Sequence, residues 1–255
     1  MFVRTDDQTR RLLAMLARPS FNGAQMLQVR CRANEAAVRR AIPPQFDLID
    51  EARVIVEVGH WAGGIVGPFG GGGLYIPCRF GDHEGLYVLV MYMDSHNAIV
   101  FGRETFGEPK KYASASLLDD GTTVSGSLSR AGVTFCSLHM VKEQSTSHDA
   151  AVSRNFNTLV RFRPDGSGLD GDVPVYMATF ELGTHTRSTG AASVTLVDTP
   201  FDRFSELGIL DPVDASYVQG DVRASNEAVG TIESSVFLPH AFARYDDWLT
   251  LSDRG

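Results

Sequence analysis

Residues 116–141, SLLDDGTTVSGSLSRAGVTFCSLHMV, contain three segments rich in apolar and β-branched residues. Two turn signals separate them, Asp119-Asp120-Gly121 and Arg130-Ala131-Gly132. Clusters of aspartate and glycine between such segments are typical of the tight turns that join neighbouring strands. Three consecutive strands joined in this way form an antiparallel meander. This stretch therefore predicts an antiparallel β-protein.

The same composition continues on both sides of the meander. Further segments rich in β-branched and aromatic residues are ARVIVEVGHW (52–61), GLYVLVMYM (85–93), TLVRFRP (158–164) and VPVYMATFEL (173–182). Strands and helices do not alternate along the chain, which argues against a Rossmann or TIM-barrel fold. Helices are predicted at residues 7–16, at EAAVRRAI behind an Asn34 cap, at FDRFSEL (201–207) and at HAFARYDDWLTL (240–251). We expect one mainly β domain over residues 1–255, an antiparallel barrel or sandwich with a few peripheral helices.

Composition excludes several classes of protein. The 255 residues carry a formal net charge of −8, which argues against a nucleic-acid partner. No apolar run approaches the ~20 residues of a membrane span, and the charged N-terminus does not look like a secretory signal. The three cysteines, Cys31, Cys78 and Cys136, form no CxxC motif, which favours a reduced, cytoplasmic protein.

Other conspicuous features do not indicate a cofactor or a metal. The stretch GGIVGPFGGGG (63–73) lacks a phosphate-loop pattern and precedes a strand, so we interpret it as a mobile loop or a lid. The seven histidines are dispersed without HxH or HxxxH spacing, and no GxSxG motif occurs. The sequence therefore predicts neither a bound cofactor nor a metal site.

The segment GRETFGEPKKYA (102–113) holds the only adjacent pair of lysines in the chain. A lysine acts as a nucleophile only as the neutral amine, so its pKa must fall several units below the ordinary value of ~10.4. Burial and a neighbouring ammonium group both lower this pKa. Strand alternation predicts that Lys110 points into the barrel and Lys111 points away. Taken alone, two adjacent lysines are more typical of a solvated loop.

This segment is similar to the motif of the acetoacetate decarboxylase family, in which GRE, a short variable stretch and PKK follow one another. Gly102-Arg103-Glu104 and Pro109-Lys110-Lys111 match the motif at the same internal spacing. Weaker similarity follows the family's order over most of the chain. Its segments are AVRRAIPPQFDLID, ARVIVEV, YIPCRF, LYVLVMYMDSHNAIVFGRE, STGAASVTLVD and FLPHAFARYDDWL.

The resemblance implies a cone-like β-barrel or double sheet that encloses the site, and a homo-oligomer. It implies that Lys110 forms a Schiff base and that Lys111 helps to lower its pKa; this family is itself the usual example of lysine activation by a cationic neighbour. Glu57 matches a family glutamate if one residue is inserted upstream. An inward, catalytic Glu57 and an outward, solvated one both remain open.

Three departures from the family pattern bear on the substrate. A family arginine that faces the substrate carboxylate aligns with Ala24 or Gln25, and Arg30, Arg32 and Arg103 lie elsewhere in the sequence. A second family glutamate falls within Gly70–Gly73. Glu108 stands where the decarboxylases have an aromatic residue, and we expect either a proton relay beside the imine nitrogen or a surface turn residue.

Three functions remain possible from the sequence. The first is a carbon–carbon lyase that decarboxylates a β-keto acid or a related carbonyl compound through Lys110. The second keeps the imine but runs aldol condensation, dehydration or cyclisation on a bulkier substrate. The third is a barrel that binds a small carbonyl compound without catalysis. The expected partner is thus a small carbonyl or keto-acid molecule, and neither nucleic acid nor a membrane.

Overall fold

Most of the residues that the structure describes lie in β-strands; it is a computed structural model covering residues 2–49, 51–183 and 185–253. The strands are β1 (Ser20–Ala33), β2 (Phe46–Leu48), β3 (Arg53–Gly64), β4 (Phe69–Phe80), β5 (His83–Met93), β6 (Lys110–Tyr112), β7 (Ser114–Asp119), β8 (Thr123–Arg130), β9 (Val133–Val141), β10 (Gln144–His148), β11 (Ala151–Thr158), β12 (Val173–Leu182), β13 (His185–Thr189), β14 (Ala192–Leu196) and β15 (Ile209–Ile232). The α-helices are α1 (Asp6–Ala17), α2 (Glu35–Ala41), α3 (His96–Phe101), α4 (Ser234–Phe237) and α5 (Trp248–Ser252). The predicted mainly β architecture is confirmed.

The strands form two sheets. Within the described ranges, eleven strands make a large sheet, and β7, β8, β9 and β14 make a smaller one. In the large sheet β1 pairs with β3 on one side and with β15 on the other, so the path β1–β3–β4–β5–β11–β12–β15 returns to β1. The meander predicted from residues 116–141 is the β7–β8–β9 part of the small sheet. A double sheet, as expected, is the result.

Two pairings depart from the expected antiparallel order. Strand β5 runs parallel to β6 and parallel to β11. The first departure arises because the chain leaves β5 at Met93, passes through α3 and doubles back, so that β6 begins at Lys110 beside Met91 and runs in the same direction as β5. Parallel neighbours need such a crossover connection, whereas a two-residue hairpin joins only antiparallel strands. This crossover is the segment that carries the lysine pair.

Both faces of the large sheet are buried at strand β3. On β3, Val54 and Val56 belong to a core that also contains Leu128 of the small sheet, so this core fills the space between the sheets. Ile55 and Trp61 belong to a second apolar cluster on the opposite face. Strands buried on both faces read as continuous apolar runs, which explains the sequence VIVEV in β3. We call the face of the large sheet that carries this second cluster the inner face.

The glycine-rich stretch is not the loop that we expected. Gly70–Gly73 lie within β4 and pair with both β3 and β5. A Cβ on Gly71 would come within 2.5 Å of the Tyr92 carbonyl oxygen, and one on Gly72 would collide with the Glu57 carbonyl oxygen. The glycines therefore serve close strand packing. The interpretation of residues 63–73 as a loop or lid was wrong for the residues that lie in β3 and β4, and only residues 65–68 form a turn between these strands.

The first two predicted helices are confirmed and the last two are only partly formed. Thr5 and Gln8 form a capping box for α1, and the Asn34 side chain caps α2. Residues 201–207 form one 3₁₀ turn, Phe204–Leu207, and residues 240–251 are interrupted at Tyr245, whose backbone is extended. No helix in the described part of the chain is long and apolar enough to cross a membrane.

Candidate active site

The lysine pair is positioned by a helix, a tight turn and a short strand. The Ser95 hydroxyl caps α3, and the chain continues through the π-helical turn Gly102–Phe106. Gly107 ends this turn with a φ of +73°, a conformation that favours glycine. The Glu108 backbone N–H donates to the carbonyl oxygen of Gly102 at 3.0 Å. This bond closes the turn and starts β6 beside α3.

The side chain of Lys110 lies buried between a carboxylate and a backbone carbonyl. Its Nζ is 2.7 Å from Glu108 Oε2, and both side chains are 7% exposed. The same Nζ donates to the carbonyl oxygen of Ala98 at 3.3 Å. Glu108 is therefore not the surface turn residue that the sequence left open, because it is buried against the predicted nucleophile.

A glycine leaves the space that the two charged groups occupy. A Cβ on Gly102 would lie 2.5 Å from Lys110 Cδ and 2.6 Å from its Nζ, and would also collide with the Glu108 carboxylate. Gly102 thus packs directly against the head groups of both residues.

Lys111 points to the other side of the strand, as alternation predicted. Its Nζ is 2.5 Å from Asp202 Oδ1, and the side chains are 5% and 16% exposed. Burial raises the pKa of Asp202, and the Lys111 ammonium beside it opposes that rise. Each lysine of the pair therefore has its own carboxylate partner, on opposite faces of β6.

Glu57 shares a face with Lys110 because the strand registers align them. Glu57 on β3 pairs with Gly73 on β4, Gly73 pairs with Met91 on β5, and Met91 pairs with Lys110 on β6. Residues directly opposite each other in neighbouring strands point to the same face of a sheet. The inward placement of Glu57, rather than the solvated one, is therefore observed.

The Glu57 carboxylate is buried, and none of the described lysines or arginines forms an ion pair with it. Its Oε2 accepts a hydrogen bond from Gln28 Nε2 at 2.6 Å, and its Oε1 accepts one from the Tyr75 hydroxyl at 3.2 Å. Burial raises the pKa of Glu57, although these two hydrogen bonds oppose the rise. The pKa of Tyr75 is also raised, first by burial and then by the negative charges of Glu57 and Glu108. Tyr75 therefore lies within the influence of both carboxylates.

Arginine is not found where the family pattern has one. Ala24, at one of the two aligned positions, is buried in the inner-face cluster. Arg30 pairs with Asp214 at an exposed site. Arg103 donates to the backbone carbonyl of Lys110 at 3.0 Å and so supports the strand rather than contacting the amine.

Three further residues belong to this arrangement and were not found from the sequence. Tyr75 lies in a strand that reads as ordinary apolar core, and Gly102 reads as part of a motif without an assigned task. Asp202 is separated from Lys111 by 91 positions. Only Tyr75 could have been found from the sequence. It lies two residues beyond Gly73, and residues two apart in a strand point to the same face of the sheet.

We expect Glu57→Gln to change how stability depends on pH. Because burial raises the pKa of Glu57, the native state holds this proton more tightly than the unfolded state. The resulting stabilisation is fully present below the ordinary glutamate pKa and is lost as pH rises through the raised value. The glutamine variant lacks this loss, so its urea midpoint should fall less than the wild-type midpoint between pH 4.5 and pH 8.

The matched control for this experiment is Glu143→Gln, which changes an exposed glutamate. Its midpoints should follow the wild-type curve. Parallel curves for wild type and Glu57→Gln would show that Glu57 does not hold its proton more tightly in the folded protein.

Comparisons with known proteins agree with the motif. The model of the family described as acetoacetate decarboxylase (ADC) matches residues 5–233. The acetoacetate decarboxylase of Clostridium acetobutylicum is 25% identical over 209 residues, which cover 79% of this chain and 84% of the relative.

Solved structures show the same fold. The crystal structure of acetoacetate decarboxylase from Legionella pneumophila superposes with a TM-score of 0.73 at 20% identity, covering 84% of this chain and 87% of that one. The enduracididine biosynthesis enzyme MppR, complexed with pyruvate, gives a TM-score of 0.66 at 16% identity, covering 83% of this chain and 90% of that one. Since the family model extends from α1 to the end of β15, the chain belongs to the acetoacetate decarboxylase family.

Proposed function

We propose that this protein is a carbon–carbon lyase that forms an imine between Lys110 Nζ and a small carbonyl compound. The observation that carries the proposal is the buried contact of 2.7 Å between this amine and the Glu108 carboxylate, at the position of the family's lysine motif. A solvated loop would need neither burial nor a buried carboxylate partner.

Glu108 is placed to move the protons that imine formation requires. The amine must give up a proton before its lone pair can attack the carbonyl carbon, and Glu108 Oε2 is within hydrogen-bond distance to accept it. Attack forms a carbinolamine. Glu108 then returns the proton to the hydroxyl group, which leaves as water while the C=N bond forms.

The protonated imine then accepts an electron pair from the neighbouring carbon. If that carbon carries a carboxylate, the C–C bond breaks, carbon dioxide leaves and an enamine remains. If it carries a hydrogen, loss of the proton gives the same kind of enamine, which can attack an aldehyde. Glu57 and Tyr75 are the candidates for moving protons to and from this carbon, because burial raises the pKa of Glu57 towards the range that general acids need.

The charges on the inner face favour a neutral carbonyl substrate over a small keto acid. Glu108 brings a carboxylate to the side of Lys110, and Ala24, at one of the positions aligned with the family arginine, supplies no cation. The surrounding cluster includes the stacked rings of Trp61 and Phe69. Aldol condensation or a related reaction on a bulkier, apolar carbonyl compound is therefore the second candidate within the same imine chemistry.

The test is borohydride reduction in the presence of acetoacetate and, separately, pyruvate. We expect each compound to form an imine that borohydride reduces to a stable adduct on one lysine. The mass of the intact protein detects the adduct, and peptide mass spectrometry identifies the lysine. Release of carbon dioxide from acetoacetate should be at least ~100-fold slower than the ~10 s⁻¹ typical of enzymes, because no arginine holds the substrate carboxylate.

Two results would contradict this proposal in different ways. If neither acetoacetate nor pyruvate is trapped, the result contradicts imine formation between Lys110 and small carbonyl compounds and favours the binding barrel. If adducts form and carbon dioxide is released at an ordinary enzymatic rate, the protein is a β-keto acid decarboxylase that works without the arginine.

A further inference from the structure

A polar cleft lies next to the turn that precedes the lysine pair. It has a volume of about 520 Å³ and is lined by Arg103 and Glu104 of the π-helical turn, residues 159–162, residues 170–174, and Arg244 with Tyr245. Neither Lys110 nor Glu108 lines it. A volume of several hundred Å³ is ordinary for a small-molecule site. The cleft is thus a separate space from the inner face.

The guanidinium groups in this cleft have no carboxylate partner. Among the described residues, no carboxylate oxygen lies within 4 Å of Arg103, Arg161 or Arg244, whereas Arg130 pairs with Asp246 through both of its terminal nitrogens. Leaving a buried arginine without a counter-charge is costly. Within the described part of the chain, these three arginines are therefore not engaged in ion pairs with the protein's own carboxylates.

Arg244 is the most deeply buried of these three arginines. The residue is 5% exposed, its Nη2 donates to the Thr158 carbonyl oxygen at 2.8 Å and to Thr158 Oγ1 at 3.3 Å, and its Nε has no partner. Burial lowers the pKa of Arg244 to about 10, and the charge of Arg103 contributes to the lowering. Two neutral oxygens from one threonine do not replace a carboxylate.

Among the described residues, the carboxylates that line the cleft form no ion pair with these arginines. Glu104, Asp170 and Asp172 also line it, but all three are exposed. The Asp172 carboxylate accepts a hydrogen bond from the Ser234 backbone N–H at 3.2 Å. Exposed carboxylates keep their hydration, so an anion that reached Arg244 would interact with a desolvated cation.

We propose that this cleft binds a small oxyanion, a phosphate or carboxylate group, through Arg244, Arg103 and Arg161. The planar guanidinium fork suits both anions because it donates two parallel hydrogen bonds to paired oxygens. Arg103 links the cleft to the catalytic strand, since its Nη1 donates both to the Lys110 carbonyl oxygen at 3.0 Å and to the Arg244 carbonyl oxygen at 3.1 Å. An anion on Arg103 would contact the residue that supports the backbone of Lys110.

The test is isothermal titration of the full chain with inorganic phosphate and, separately, malonate, against sodium chloride at matched ionic strength. We expect saturable binding of at least one oxyanion, with a rise in the thermal midpoint, since a ligand of the folded state stabilises it. Tighter binding of phosphate would identify a phosphate ester as the natural ligand class, and tighter binding of malonate a carboxylic acid. Binding no stronger than that of chloride would overturn the proposal.

Variants decide where the anion binds. Arg161→Gln changes an exposed side chain and should weaken binding about tenfold, while Arg4→Gln, an exposed arginine outside the cleft, should bind as wild type. Arg244→Lys keeps the charge but loses the fork and should weaken binding further; if it does not fold, Arg161→Gln alone decides. Unchanged affinity in Arg161→Gln would overturn the assignment. Imine formation is measured separately by borohydride trapping, so loss of anion binding and loss of trapping are distinguishable results.

Discussion

Lys110→Arg is expected to abolish borohydride-dependent labelling by carbonyl compounds, a loss of at least ~1,000-fold. The guanidinium stays protonated at every working pH and has no lone pair for attack on a carbonyl carbon. Arginine keeps the positive charge beside Glu108, so the ion pair observed at 2.7 Å is not simply left as an unpaired buried carboxylate. The measurement is the mass of the intact protein after borohydride reduction in the presence of pyruvate or acetoacetate.

The composition of the chain makes this experiment unusually clean. Its only lysines are Lys110, Lys111 and Lys142, so only three side-chain amines and the N-terminal amine can form an adduct. Lys142→Arg changes a lysine that pairs with Asp119 in another part of the fold and should label as wild type. Labelling that persists in Lys110→Arg and disappears in Lys142→Arg or Lys111→Arg would move the nucleophile to that residue.

The two lysines of the motif turn out to have separate electrostatic environments. Lys110 pairs with Glu108 on the inner face, and Lys111 pairs with Asp202 on the side of the core between the sheets. Because Asp202 balances the Lys111 ammonium, the field of Lys111 at Lys110 is weaker than adjacency in sequence suggests. We therefore expect Glu108 to influence the Lys110 amine more strongly than the second lysine does.

The parts of the fold that were predictable are those encoded by local signals. The turns at Asp119-Asp120-Gly121 and Arg130-Ala131-Gly132 specify the β7–β8–β9 meander, and Asn34 marks the start of α2. The glycine-rich stretch failed as a local signal. Its glycines are required because backbone atoms of β3 and β5 leave no room for a side chain, and these atoms come close only in the assembled sheet.

The inward, buried placement of Lys110 followed from strand alternation and from the family motif, and its catalytic role stays a prediction. Glu57 depended on register, since a slip of one residue would turn it to the other face. Glu108 occupies a turn by sequence, and its burial follows from the closure of that turn by the bond from its N–H to Gly102. Asp202 meets Lys111 only through tertiary structure, across 91 positions.

Gly102→Ala is expected to reduce the rate of labelling about 100-fold while the protein stays folded. The new Cβ would lie 2.5 Å from Lys110 Cδ and 2.6 Å from its Nζ, and would collide with the Glu108 carboxylate. Side-chain ends move away more easily than backbone, so the clash should displace the reacting groups rather than unfold the chain. A displacement of ~1 Å at a reacting centre is enough for a rate loss of this size.

Backbone strain does not explain such a loss, because Gly102 has a right-handed helical conformation, φ −65° and ψ −43°, that alanine adopts readily. Gly63→Ala is the matched control, since a Cβ there meets nothing within 4 Å. Its labelling rate should equal that of wild type, and the urea midpoint should show that Gly102→Ala is folded. If folded Gly102→Ala is labelled at the wild-type rate, then the arrangement of Lys110 against Glu108 is not the one that reacts. A loss confined to Gly102→Ala would instead assign the reaction to the geometry of these two side chains, because the substitution removes neither the amine nor the carboxylate.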